Sequence, residues 1–67
     1  MPTGVVATWD DRKGYGTIRA DGTGTEHFFH CTQIADGSRT IDEGARVEFE
    51  VVPGRLGRWE AARVAKR

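Results

Sequence analysis

Five short antiparallel strands curled into a barrel are what this sequence predicts. Apolar residues recur with period two in short runs, Gly and Asp clusters separate the runs, and no segment sustains the 3.6-residue period of an amphipathic helix. The chain has 67 residues, which reads as one small domain over 1–67 with no room for a linker or second unit. A domain of this size hides only about 60% of the surface its unfolded chain exposes, so its core must be shared efficiently. Strands in so small a chain protect their edges best by closing on themselves.

The first strand is predicted from Gly4 to Trp9 and is closed by Asp10 and Asp11. The second runs from Tyr15 to Ala20, and Asp21, Gly22, Thr23 and Gly24 make the turn after it. The third, from Glu26 to Cys31, leads into a longer connection through Ile34, Asp36, Gly37 and Ile41, which ends at the turn of Asp42, Glu43 and Gly44. The fourth has the clearest pattern: Val47, Phe49 and Val51 alternate with Arg46, Glu48 and Glu50, giving one buried and one wet face. Pro53 and Gly54 stop it, since proline cannot donate to a ladder. A last strand from about Trp59 to Ala65 brings Val64 to the core.

A five-stranded barrel of this size is the OB-fold, whose ligand surface lies on strands two and three. Those strands carry the two most distinctive segments of the chain, KGYGTI at Lys13 to Ile18 and HFFHC at His27 to Cys31. Both alternate aromatic, Gly and polar residues, as adjacent strands do when they display rings to solvent. Ile18 and Phe29 already supply the inward positions, which leaves Tyr15 and Phe28 for the outer face. Such rings form a stacking platform for single-stranded nucleic acid, because every base has a π-face. The plainer reading is that Tyr15 and Phe28 cap a thin core.

The two segments, in this order and spacing, resemble the RNA-binding motifs of bacterial cold-shock domains. The resemblance extends from GVV at Gly4 to Val6, through IDEG at Ile41 to Gly44, to AARV at Ala61 to Val64. It implies a five-stranded barrel that binds single-stranded RNA or DNA and acts as a chaperone or a regulator of transcription and translation. Tyr15 matches the first aromatic of the family's first motif, Phe28 and His30 the aromatic and histidine of the second, and Lys13 the phosphate-contacting lysine. Arg58, with Arg55, falls in a loop that carries a basic residue in the family. The chain is a divergent member of that pattern. Ala7, Thr8 and Trp9 stand where the family has Lys, Trp and Phe, Thr17 replaces the second aromatic of the first motif, Cys31 follows the histidine, and Ser38 falls near a loop aromatic. Trp9 either packs against the barrel end or substitutes for the missing strand-one ring. Stacking contributes roughly 1–3 kcal/mol per base, so losing two or three platforms reduces affinity by orders of magnitude.

Ten basic and ten acidic residues make the chain formally neutral, which argues against the whole-molecule field of a strong nonspecific DNA binder. Eight of the ten cations are Arg, which can stack on bases and fork onto phosphates. Lys13 and Arg12 precede the aromatic strand, and Arg19 shares its parity with Tyr15 and Thr17, at the edge of the same face. Asp10, Asp11 and Glu26 near that face offset part of the attraction for phosphate. His27 falls on the inward parity. Strand alternation would set His30 opposite His27 and Cys31, which speaks against a metal site and against a Cys31–His30 nucleophile pair, so neither enzyme, cofactor nor metal is expected. A lone cysteine makes no internal disulfide, and no charged-then-apolar segment opens the chain, so a reducing cytoplasm is the default. A neutral barrel without a long apolar surface run reads as a monomer, with no membrane or small-molecule partner. The alternative function is a protein-interaction module that uses the barrel edge, Trp59 and the loop from Arg55 to Arg58.

Overall fold

A computed structural model describes residues 2–54 and 57–67, so Arg55 and the centre of its loop lie outside the described residues. Five strands are present: β1 (Thr3–Asp10), β2 (Tyr15–Ala20), β3 (Glu26–His30), β4 (Arg46–Pro53) and β5 (Trp59–Lys66). They close into a barrel in the order β1-β2-β3-β5-β4. Every neighbouring pair is antiparallel except β3 with β5, which meet in parallel at Phe28 and Glu60. The five-stranded antiparallel barrel expected from the sequence is therefore present with one parallel seam, for a topological reason. Strand direction cannot alternate all the way round a ring with an odd number of strands, so one seam must be parallel.

The core is formed by Val6, Ile18, Phe29, Ile34, Ile41, Val47, Phe49, Ala61 and Val64. Alternation places them: Ile18 on β2, Phe29 on β3, and Val47 and Phe49 on β4 all face inward while their neighbours do not. Ile34 and Ile41 come from the long connection and close the interior beneath the strands; Ile34 bridges to Val64 in parallel. The buried run of β4 ends at Phe49. Val51, predicted to share its face, is 36% exposed, opposite Ala61 on β5.

Two bulges interrupt the alternation. In β1, Val6 faces Ile18 and Thr8 faces Thr17, so Ala7 is one residue too many. Every side chain after it changes face: Thr8 turns outward and Trp9 turns inward, opposite Gly16. In β5, Glu48 faces Ala65 while Glu50 faces Ala62, and Arg63 between them adopts a positive φ of 50°. That extra residue lets Ala61 and Val64 both point into the core despite their odd spacing. Strand three also ends one residue earlier than predicted. Cys31 begins a 3-10 turn (Cys31–Gln33), with His30 as its N-cap.

Candidate nucleic-acid interface

The outward face of β1, β2 and β3 is a grid of cross-strand partners. Tyr15 lies opposite His30, Thr17 opposite Phe28, and Arg19 opposite Glu26. Tyr15 and Phe28, diagonal neighbours, have ring centroids 5.2 Å apart at 42° and are 37% and 39% exposed. Neither caps the core, because Ile18 and Phe29 fill it from the other face of the same strands. Two adjoining, half-open rings with His30 beside them make a surface to which a base can be laid flat.

Glycines allow this display. Gly16 sits where β1 presses closest: a Cβ there would lie within 2.1 Å of the Thr8 carbonyl oxygen, so no larger residue fits between Tyr15 and Thr17. Gly14, at φ 76°, turns the chain into β2, and its carbonyl accepts the Cys31 N–H at 2.7 Å. The β1–β2 turn is held by Asp10, whose Oδ1 accepts the backbone N–H groups of Arg12 and Lys13, each at 3.0 Å. The Lys13 ammonium lies 5.9 Å from the Tyr15 ring centre, a cation–π distance beside the aromatic pair.

His30 is oriented by its cap. Its Nδ1 accepts the Thr32 N–H at 3.3 Å, and the Thr32 hydroxyl is 3.1 Å away, which puts the proton of the neutral ring on Nε2, free to donate. Cys31 has left the strand, so its Sγ comes to 3.7 Å from His30 Nδ1. The expectation that the two point apart is therefore wrong, since strand alternation stops at His30. That nitrogen is already engaged by Thr32. His27 faces the other way, its ring 5.8 Å from that of Phe49.

Of the residues singled out from sequence, Lys13, Tyr15, Phe28 and His30 come together. Trp9 does not join them: the β1 bulge carries it inward, where its ring stacks on Phe29 at 5.4 Å and 18°, and its Nε1–H donates to Asp11. Of its two readings, the structure shows packing against the core. Arg19 is on the outward face, with its guanidinium 3.8 Å from Glu26. Arg58 is exposed in the β4–β5 loop. Trp59 is 58% exposed but shares the parity of Ala61, off the face that carries Phe28.

Sequence reasoning missed the cleft beside the rings. About 680 Å³ of space between β3 and the start of the β4–β5 loop is lined by Phe28, His30, Pro53, Gly54 and Glu60. The Glu60 side chain lies directly over Gly54, where a Cβ would collide with it. Only the parallel seam brings Glu60 next to Phe28, and no local sequence pattern announces that pairing. The acidic groups near the face are hydrogen-bonded locally. Asp11 accepts from Trp9 Nε1 and from the Thr40 hydroxyl, and these bonds hold its carboxyl below its ordinary range.

The family described as 'Cold-shock' DNA-binding domain matches residues 2–67. The chain is 48% identical over 58 residues to the cold shock-like protein CspA of Stigmatella aurantiaca, covering 85% of each. It is 42% identical over 67 residues to the cold shock protein CspB of Bacillus caldolyticus, covering 98% of each. Among solved structures, drosophila Unr CSD456 superposes with a TM-score of 0.81 at 32% identity, over 98% of this chain and 26% of that longer one.

Proposed function

The chain belongs to the 'Cold-shock' DNA-binding domain family, and from that premise we propose that it binds single-stranded nucleic acid, RNA or DNA, by stacking bases on Tyr15, Phe28 and His30. The single observation that carries this reading is the pair of half-exposed rings of Tyr15 and Phe28 in contact on an outward sheet face, with the Lys13 ammonium beside them. Stacking supplies affinity without reading a hydrogen-bond code, so sequence preference is slight. Lys13, Arg12 and Arg58 meet phosphates, and Arg19 borders the face. Trp9 supports the platform from beneath through Phe29. The whole of 1–67 acts as one monomeric, non-enzymatic domain in the cytoplasm, an RNA chaperone or a regulator of transcription or translation, with no cofactor, metal, membrane or small-molecule partner.

Anisotropy of a labelled single-stranded hexanucleotide tests it. Saturable binding is expected, weaker as salt rises. Phe28→Ala and Tyr15→Ala each weaken it by about 5- to 150-fold, the equivalent of one stacked base, with melting temperature little changed because both rings are half in solvent. No saturable change up to about 100 µM protein, where binding energy is only about −5.5 kcal/mol, sinks the reading.

A further inference from the structure

We infer that the cleft beside the rings reads one guanine in the bound strand by its Watson–Crick edge, with Glu60 as the residue that sets the choice. This rests on the stacking reading above and adds to it: stacking alone leaves sequence preference slight, and the cleft supplies one position at which base identity counts. The lining of the cleft is chemically divided. Phe28 and Pro53 give it apolar surface, while His30 and Glu60 bring polar side-chain groups. Glu60 is half-buried on β5 and reaches this place through the parallel seam, level with Phe28. Gly54 has no Cβ, and the space so left is where the Glu60 side chain lies.

The two polar groups are of opposite sense. A carboxylate only accepts, whereas His30 donates, because Thr32 engages Nδ1 and leaves the ring proton on Nε2. A base that satisfies both carries donors for Glu60 and an acceptor for His30. Guanine presents these on one edge: N1–H and the 2-amino group lie side by side, matching the two carboxylate oxygens, and O6 beside them suits the imidazole N–H. Adenine and cytosine give the carboxylate one amino group next to a ring nitrogen whose lone pair faces it. Uracil and thymine give it a single N3–H between two carbonyl oxygens. The carboxylate charge turns phosphate away, so the cleft takes a base edge and not the backbone.

Uridine heptamers with guanosine, adenosine or inosine at the central position, titrated at one salt concentration, read the choice directly. Adenosine is the comparison because its two-ring base stacks as guanine does, so their ratio isolates the edge contacts. Guanosine is expected to bind about 5- to 150-fold more tightly than adenosine, the worth of one bidentate pair. Inosine, which lacks the 2-amino group, falls between them. In Glu60→Gln, which loses an acceptor oxygen and sets an amide NH2 against the guanine amino group, the ratio drops to about one while plain heptauridylate still binds. Glu60→Ala does the same if the first variant does not fold. Removing a carboxylate also eases the approach of every strand, which is why the ratio is read and not the affinity. A wild-type ratio within about twofold of one overturns the inference and leaves stacking intact. A guanosine preference that persists in the folded Glu60 variants overturns the role given to Glu60. Absence of binding to all of the strands is a different result: it removes the stacking reading and this inference with it.

Discussion

Single side chains in this barrel are held by bonds that are visible only once the loops are folded. Asp36 lies in the connection between the 3-10 turn and β4, where its Oδ1 accepts the Ser38 N–H at 2.9 Å and its Oδ2 meets the Lys66 ammonium at 3.1 Å. Its carboxyl is lowered from the ordinary 3.8 to about 2, chiefly by the Ser38 backbone N–H, then by the Ser38 hydroxyl and Lys66. A folded-state value below the unfolded one means that ionised Asp36 favours the fold above about pH 4, and that this contribution is lost as pH falls toward 2. Asp36→Asn is therefore expected to flatten the acid limb of stability between those values, as followed by melting temperature against pH. In Lys66→Met the carboxyl still titrates below 3.8 by NMR, since the largest cause is untouched; a return to 3.8 would assign the shift to the ion pair instead.

At the scale of elements, the two bulges decide which residues each strand presents. The β5 bulge places Arg63, a residue with a side chain, at φ 50°. A Cβ in that left-handed region costs about 1–2 kcal/mol, and glycine avoids the cost at the expense of a more disordered unfolded chain. Its ion pair to Glu50, 3.7 Å long with the arginine side chain 77% exposed, contributes little. Arg63→Gly should stabilise by about 0.5 kcal/mol, a rise of roughly 2–4 °C in melting temperature for a domain this small, and Arg63→Val should destabilise by at least about 1 kcal/mol because a β-branched side chain is poorly accommodated there. Equal melting temperatures for the valine and glycine variants would show that the bulge imposes no backbone demand. The strands themselves were legible because period-two alternation is written locally: Val47 and Phe49, or Ile18 and Phe29, each announce their inward side. The bulges were not legible. Ala7 carries no mark of an inserted residue, yet its insertion is what sends Trp9 to Phe29 and leaves Thr8 on the outer face. The same holds for Cys31, which strand parity would place opposite His30 and which the 3-10 turn brings beside it. That Tyr15, Phe28 and His30 share one outward face was readable because they lie on regular stretches of β2 and β3. Glu60 was not, since its place next to Phe28 exists only through the parallel seam.

For the whole molecule, a net charge of zero conceals how the charges are distributed. Arg46, Arg63, Lys66 and Arg67 pair with Asp21, Glu50, Asp36 and Glu48, and Arg19 pairs with Glu26. Among the described residues, Arg12, Lys13, Arg39 and Arg58 form no ion pair, and all four lie in connections between strands. Arg12 and Lys13 adjoin the aromatic corner, whereas Arg46 faces Val5 at the other end of the strands, and Arg67 donates its N–H to the Arg46 carbonyl. Release of counterions from a single strand gives a slope of about −0.7 in log K against log salt for each phosphate neutralised. If local cations rather than net charge hold the strand, Arg12→Gln with Lys13→Gln flattens that slope by about 1.4, while Arg46→Gln with Arg67→Gln, the same change in net charge, leaves it where it was. Salt titrations of oligonucleotide binding for the two double variants separate the cases. Equal flattening in both would mean that the strand responds to the total charge of the barrel, and the phosphate contacts assigned to the β1–β2 turn would have to be withdrawn.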